Sequence, residues 1–419
     1  MRTKKFLMIS VSILLFFTIF NLDLVPLRRE ISDMEIVMVA GLDKTEDGYE
    51  ISFLKREEQA STSGSGTGES SDATQVISIK SSNFNSAMNH LQTLTDKYIT
   101  ISHIKYYIVG EQAAKEDFPH IVDTITRGNQ TRQNSKVYVS KGMTAKEFLE
   151  KASNTDYKVE DKLYNMEDNF ITERVSTNPS LINLRHIIMN KSGEGMIATL
   201  EYGESEDNDQ AAQIKLDSKP AEESKEETPF GFGGAGIIKG MKLIDYLTTD
   251  ETAIANYIKY NNNVNIIKIE NGDDFVTFAV EQLNTNVDFK FDNKDIINEL
   301  ILDVTFKANY EEVKAESQVF SITGLQEYEN KLNQRIKKQL QEIIKKEIEL
   351  NVDFLELKQK LEFKHPIKCK KNNDEFIQKL KECKITINMS GKLQTTYDVV
   401  ETNIYQEENY RWYTIYYFW

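Results

Sequence analysis

Residues 201–229 read EYGESEDNDQAAQIKLDSKPAEESKEETP, and no packed core can run through them. The stretch is acidic, poor in large apolar residues and closed by Pro229, so it cannot bury enough surface to offset its ordering entropy. It reads as a linker over residues 201–228 and divides the chain into one body at 24–200 and a second at 229–397. A chain of 419 residues has room for two or three cores, so the first body can hold two units. A second break, QASTSGSGTGESSDAT at 59–74, lies between two strand-like runs and reads as a surface loop.

Strand and helix signals alternate in the first body. EIVMVAGLDKTEDGYEISFL predicts two strands joined through a polar turn at Gly48. NFNSAMNHLQTLTDKY puts Phe84, Ala87, Met88, Leu91 and Leu94 on one helical face. IKYYIVG, closed by Gly110, and KVYVS are short strand-like runs. Thr144 and Glu147 have the spacing of a capping box and start a helix at EFLEKAS. LINLRHIIMN predicts a further helix and GMIATLEY a strand. The long regular rhythm of a doubly wound sheet is missing, and the fold class is α+β.

The second body opens on TPFGFGGAGIIKG, in which Gly231, Gly233 and Gly236 spell G-x-G-x-x-G. That motif cradles a pyrophosphate only when a strand feeds it and a helix opens at once behind it. Here the acidic linker precedes it, and the helix capped by Thr248 and Glu251 begins about thirteen residues after the last motif glycine. The glycines therefore read as small residues in a close-packed strand, followed by a turn at Gly240. Three period-two stripes follow: Val276, Phe278 and Val280; Val287, Phe289 and Phe291; Leu302, Val304 and Phe306. They predict a one-faced antiparallel sheet. A long helix from about Leu325 to Leu350 has Leu325, Tyr328, Leu332, Ile336, Leu340, Ile343 and Ile344 on its apolar face and packs across that sheet. After a shorter helix, KITINMSGKLQTT returns as strand and hairpin.

At the N-terminus, MRTKK precedes fifteen uncharged residues, FLMISVSILLFFTIF. This is the charge and apolar pattern of an export signal, and NLDLVPLRRE offers no small-residue cleavage site. Residues 1–23 are therefore read as an uncleaved anchor with Phe6, Leu7, Ile9, Ile13, Leu14, Leu15, Phe16, Phe17, Ile19 and Phe20 in the membrane and the body outside. The other end, residues 398–419, is an aromatic-rich tail. Its Trp412, Tyr413, Tyr416, Tyr417, Phe418 and Trp419 either contact a membrane or partner or pack on their own domain.

Chemistry is harder to find. The histidines His90, His103, His120, His186 and His365 are scattered, with no carboxylate at metal-ligand spacing. There is no G-x-S-x-G elbow and no G-x-x-x-x-G-K-[ST] loop. A net charge of −15 argues against a nucleic-acid surface. Cys369 and Cys383 are either two ordinary thiols or one local disulfide. The residues point to a binding or assembly component; a membrane-tethered extracytoplasmic solute-binding protein or hydrolase is the rival reading.

The order of segments resembles the Ger(x)C family, the C subunits of bacterial spore germinant receptors. The likeness runs through VPLRREISDMEIVMVAGLDKTEDGYEI, with Arg29, Glu30, Ile31 and Gly41 to Lys44, then SHIKYYIVGEQAAKEDFPHIVDTITRG and VYVSKGMTAKEFL. It continues through GGAGIIKGMKLIDYLTTDETAIANYIK and VDFLELKQKLEFKHPIKCKK, and covers roughly residues 25 to 395. Val25 stands where the family has its lipidated cysteine, Cys369 where it has a tryptophan, and the aromatic tail extends past the usual end. The resemblance implies three successive α+β units and no cofactor. It also implies a non-enzymatic subunit on the outer face of the spore inner membrane, acting with a polytopic A-type subunit and a transporter-like B-type subunit. With the cysteine absent, Phe6 to Phe20 would hold the chain at the membrane.

Overall fold

Apolar runs with no polar alternation need cover on both faces, and the centre of the larger sheet is built from two of them. Strands β6 (Tyr106–Gly110) and β7 (Lys136–Ser140) are buried almost throughout. They lie parallel to each other, and β2 (Val39–Thr45) and β8 (Gly195–Tyr202) extend the parallel set on either side. The computed structural model describes residues 8–16, 33–56, 74–128, 131–153, 158–173, 175–189, 193–202, 230–261, 263–271, 274–314, 322–373 and 375–394. Outside the parallel centre the sheet turns antiparallel. β3 (Gly48–Arg56) and β4 (Thr74–Ser81) follow β2 on one flank, and β9 (Phe230–Lys239) and β10 (Lys242–Leu247) follow β8 on the other. The order is β10-β9-β8-β7-β6-β2-β3-β4. A short parallel pair, β1 (Met34–Ile36) with β5 (Tyr98–Thr100), stands apart.

Helices cover both faces. On one lie α2 (Phe84–Leu94), α3 (Glu111–Glu116), α4 (Phe118–Arg127) and α7 (Leu181–Met189), with Phe84, Phe118, Ile121 and Leu184 packed on Tyr107, Val109 and Val137. On the other, α5 (Ala145–Ser153) and α6 (Val159–Glu173) set Phe148, Leu149 and Leu163 against Tyr106, Ile108 and Tyr138. Adjacent strand residues thus serve opposite cores. Phe118 and Phe148 are fully buried, and each such side chain contributes about 1.5–3 kcal/mol. The α+β class holds, and the four-strand parallel centre is a feature that the sequence pattern did not show. Only β6, α3, α4 and β7 form a compact unit; β3, β4, α2 and β5 intervene between β2 and β6 and hide the repeat.

The acidic stretch does not separate two independent sheets. β9 and β10 come after it and complete the sheet begun before it, and β8 already includes Glu201 and Tyr202. Tyr202 belongs to the strand because its ring packs on Phe148 and Phe230, at 4.9 and 5.5 Å.

The second sheet is β11 (Asn263–Asn271), β12 (Asp274–Phe291), β13 (Ile297–Lys314) and β14 (Lys384–Leu393). Two of the expected stripes are one strand. β12 runs for eighteen residues, and between Glu281 and Asn284 it carries one residue more than its partner segment Thr305–Lys307. Gln282 takes φ 51° there. This bulge shifts the phase so that Val276, Phe278 and Val280 share a core with Val287 and Phe289. β14 is parallel to β13, not antiparallel, because α9 (Ile322–Leu350), α10 (Leu357–Lys364), α11 (Pro366–Asn372) and α12 (Phe376–Glu382) carry the chain back to the start of β13 before it re-enters. The hairpin expected within KITINMSGKLQTT does not form among the described residues, because Lys384–Leu393 is one unbroken strand paired along its length with β13. Between the two sheets lies α8 (Thr249–Lys259), whose Ile254, Tyr257 and Ile258 share one cluster with Ile237 of β9, Phe278 of β12 and Ile343 of α9. Its capping box, Thr248 with Glu251, forms as expected.

Candidate functional site

The C-terminal ends of β2, β6, β7 and β8 all point to one edge of the large sheet, beside the N-terminus of α5. In open α/β sheets ligands bind at that edge, and helix N-termini attract anions. Here the chain's own carboxylate fills the position. Asp43, at the end of β2, accepts the Ala145 N–H on Oδ1 at 2.7 Å and the Lys146 N–H on Oδ2 at 2.9 Å. Thr144 and Glu147 close a capping box around the same turn, at 3.0 and 3.1 Å. Ser140 Oγ donates to the Met143 carbonyl at 3.0 Å, and the Glu111 N–H donates to the same oxygen at 3.2 Å. The Glu111 carboxylate in turn accepts the Gly142 N–H.

Two glycines make room for this knot. A Cβ on Gly41 would stand 3.0 Å from Leu149 Cδ1 and 3.1 Å from the Ala145 Cβ. One on Gly110 would stand 1.9 Å from Asp43 Oδ1. Burial pushes the Asp43 carboxyl up to about 6, against the pull of its two backbone donors. Around it, Lys146 Nζ binds Glu50 at 2.9 Å and Lys141 Nζ binds Glu201 at 2.9 Å. The edge is a satisfied structural junction. It ties the GLDK, YYIVGE and VYVSKGMTAKE segments together.

A second polar cluster lies where α8, α9 and α10 meet. Lys259 Nζ, almost wholly buried, binds Glu356 at 2.6 Å. Burial, the largest single influence, lowers the affinity of that amine for its proton, but Glu356, Tyr260 and Asp353 together outweigh it and the net shift is upward. Asp353 caps α10 by accepting from the N–H groups of Leu357 at 2.7 Å and Lys358 at 3.1 Å, and burial pushes it up to about 7. Its own N–H donates to Glu194 at 3.1 Å, the strand-leading residue of β8. Glu347 accepts the Leu355 N–H at 2.7 Å on Oε2, while its buried Oε1 has no partner among the described residues. Burial and the neighbouring Asp353 hold the Glu347 carboxyl well above the usual range.

The expected site residues fare differently. Residues 8–16 form a helix, α1, in which Ile9, Ile13, Leu14, Leu15 and Phe16 are all exposed. Among the described residues no helix is long and apolar enough to cross a membrane. Nine residues span roughly 14 Å, and Phe6, Leu7, Phe17, Ile19 and Phe20 lie outside the described residues. So do Trp412, Tyr413, Tyr416, Tyr417, Phe418 and Trp419. Gly231, Gly233 and Gly236 are inside β9, where a Cβ on Gly236 would lie 2.6 Å from Leu243 Cδ1. No helix opens behind them. Cys369 and Cys383 are separate thiols, the first buried and the second half-buried. Among the described residues no three His, Cys, Asp or Glu side chains are placed to hold a metal.

Comparison with known proteins bears on what this junction serves. Residues 28–202 match the family described as spore germination protein N-terminal domain, and residues 233–397 match the one described as spore germination B3/GerAC like, C-terminal. The chain belongs to the GerAC-type spore germination family. YfkR of Bacillus subtilis strain 168, named for spore germination, is 31% identical over 136 residues, which is 32% of this chain and 34% of that protein. The match thus spans about a third of that relative. The crystal structure of the GerBC protein superposes with a TM-score of 0.50 at 15% identity, covering 84% of this chain and 96% of that one. At that identity the likeness speaks to the fold, a mixed α+β architecture of several sheets. In the GerAC-type frame, both polar clusters lie inside the matched halves: Asp43 and Gly110 in the first, Glu347 and Asp353 in the second. Sequence reasoning quoted GLDK without giving Asp43 a role, and the closing glycine of YYIVG was the available signal. Glu347 and Asp353 carried no signal, since one sits in a Lys/Glu-rich helix and the other in a loop.

Proposed function

We propose that the protein is a non-enzymatic subunit of a spore germinant receptor, exposed outside the spore inner membrane and needed for the response to germinant. The observation that carries this reading is the ordered match of both halves of the chain, residues 28–202 and 233–397, to spore germination families. The filled carboxyl edge supports it: Asp43 occupies the helix N-terminus where a ligand-binding α/β sheet would leave donors open. Residues 1–23 hold the chain at the membrane through Phe6 to Phe20, without a lipidated cysteine. The body at 24–200 and 229–397 lies on the extracytoplasmic side, and the tail from Trp412 to Trp419 either packs on its own domain or contacts the membrane or a partner. Its partners are the polytopic A-type and transporter-like B-type subunits.

The test is to tag the C-terminal side, solubilise membranes of dormant spores in mild detergent and identify what co-purifies. Recovery of a polytopic subunit and a transporter-like one is the expected result, together with loss of germinant response when the chain is deleted. Recovery alone, under conditions where other receptor complexes survive, would overturn receptor membership and send attention to solute binding or hydrolysis by the ectodomain.

A further inference from the structure

Lysine is concentrated at one corner of this acidic protein. Between Leu357 and Lys384 there are nine lysines and four acidic residues, a net of +5 in a chain whose net charge is −15. The segment is α10, the His365 joint, α11 and α12. Its inward side is ordinary core: Leu357, Leu361, Cys369, Phe376, Ile377 and Leu380 are buried. Its outward side carries Phe363 at 88% exposure and Ile367 at 81%, the two most exposed large apolar side chains among the described residues. Pro366 and Lys364, Lys370 and Lys371 beside them are exposed as well.

The corner is held rigidly in this pose. His365 Nε2 lies 2.8 Å from Asp288 Oδ1 and its ring stands edge-on to Phe291 at 5.0 Å, while Lys368 Nζ sits 4.3 Å over the Phe291 ring. Phe363 and Ile367 therefore cannot fold back onto the sheet without unseating the joint. On α11, Ile367 shares a face with Lys370 and Lys371, three and four residues on. Part of the positive charge is used internally: Lys371 and Lys368 lie 2.7 and 3.6 Å from Asp295, and Lys364 donates to Asn286 at 2.5 Å. Exposed Glu362 is the acidic residue of α10. The remaining balance is still positive.

We propose that the α10–α11 corner docks on the headgroup region of an anionic lipid bilayer, with Phe363 and Ile367 entering the interface and Lys364, Lys370 and Lys371 meeting lipid phosphates. Apolar tips on a convex helical corner, ringed by long cationic side chains, are the chemistry of interfacial binding, since the rings and branches partition while the ammonium groups stay with phosphate. Such docking would fix how the ectodomain stands on the membrane. It asks only that the body lie beside a bilayer, and so survives a failure to recover other receptor subunits.

The test uses the full chain in detergent-free form where it is soluble and otherwise a form beginning at residue 24, whose cooperative thermal unfolding is checked first; every residue of α1 is exposed and none enters the three cores. Its partition is measured by sedimentation with vesicles of phosphatidylglycerol and phosphatidylcholine, and with phosphatidylcholine alone, at low and high salt. The expected result is salt-sensitive binding to the anionic vesicles only. Lys370→Gln with Lys371→Gln should weaken it roughly 30-fold. Phe363→Ser with Ile367→Ser should also abolish most of it, and these exposed positions leave thermal unfolding unchanged as the folding control. Equal binding to neutral vesicles, no binding, or binding unmoved by either pair overturns the proposal. Failure on vesicles with capture of an acidic membrane subunit, lost in the same variants, would overturn lipid docking and assign the corner to that protein.

Discussion

Gly110 faces Asp43 so closely that a Cβ on it would lie 1.9 Å from Asp43 Oδ1. The glycine is not needed for its backbone angles, since its φ of −62° suits any residue. It is needed for space. Gly110→Ala should push Asp43 off the N-terminus of α5 and leave two backbone N–H groups, one of them wholly buried, without acceptors. The expected loss is about 2–4 kcal/mol, read as a lower urea midpoint with an unchanged slope. Asp43→Asn, which retains one acceptor oxygen, should cost less than Asp43→Ala.

Three buried carboxyls give the protein an unusual pH profile. Asp43 is pushed up to about 6 and Asp353 to about 7, and Glu347 is raised as well, all chiefly by burial. Such groups bind more protons folded than unfolded, so their contribution is complete below about pH 4 and is lost as pH rises through the folded values. Stability should therefore fall between about pH 4.5 and about pH 8, by on the order of 3 kcal/mol for Asp353 alone. Glu299, held down to about 2 by Thr386 and Lys290, acts in the opposite direction but in a lower window. Urea midpoints across that range should slope downward in the wild type and flatten in Asp353→Asn. A rising profile would contradict the buried, protonated assignment.

The bulge in β12 separates two kinds of change at one residue. Gln282 holds φ 51° and is exposed, so Gln282→Gly should be neutral or stabilise by about 0.5–1 kcal/mol. Deleting Gln282 removes the phase shift and turns Val276, Phe278 and Val280 away from the core they share with Val287 and Phe289. The deletion should abolish cooperative unfolding and leave insoluble protein, while the glycine variant purifies normally.

These residues also show what the sequence could and could not reveal. Local signals carried far: the capping boxes at Thr144 and Thr248, the helix ending at Leu350 and the turn at Gly240 each depend on residues a few positions apart. Pairing over long separations left little trace. Asp43 and Ala145 are 102 positions apart, and nothing near either one names the other. The stripes in β12 looked like two strands because a bulge and a turn both break period two. The continuity of β8 with β9 was hidden by the acidic stretch, whose composition reports its own solvation and says nothing of how the strands on either side pair.

Glu251 joins the two layers of the molecule, and its variants can be ranked. Its carboxylate accepts the Thr248 N–H at 3.0 Å, completing the capping box of α8, and binds Lys346 of α9 at 2.8 and 2.9 Å. Lys346 also donates to the Tyr246 carbonyl of β10 at 3.1 Å. Glu251→Gln keeps an acceptor for the box and loses only the charge, so it should cost less than about 1 kcal/mol at these partly exposed positions. Glu251→Ala loses the box as well and should cost about 1–2 kcal/mol. A double-mutant cycle with Lys346→Ala should give a coupling of about 0.5–1 kcal/mol. Zero coupling would mean that α8 is held between the sheets by Ile254, Tyr257 and Ile258 alone, with the ion pair no more than a surface ornament of that packing.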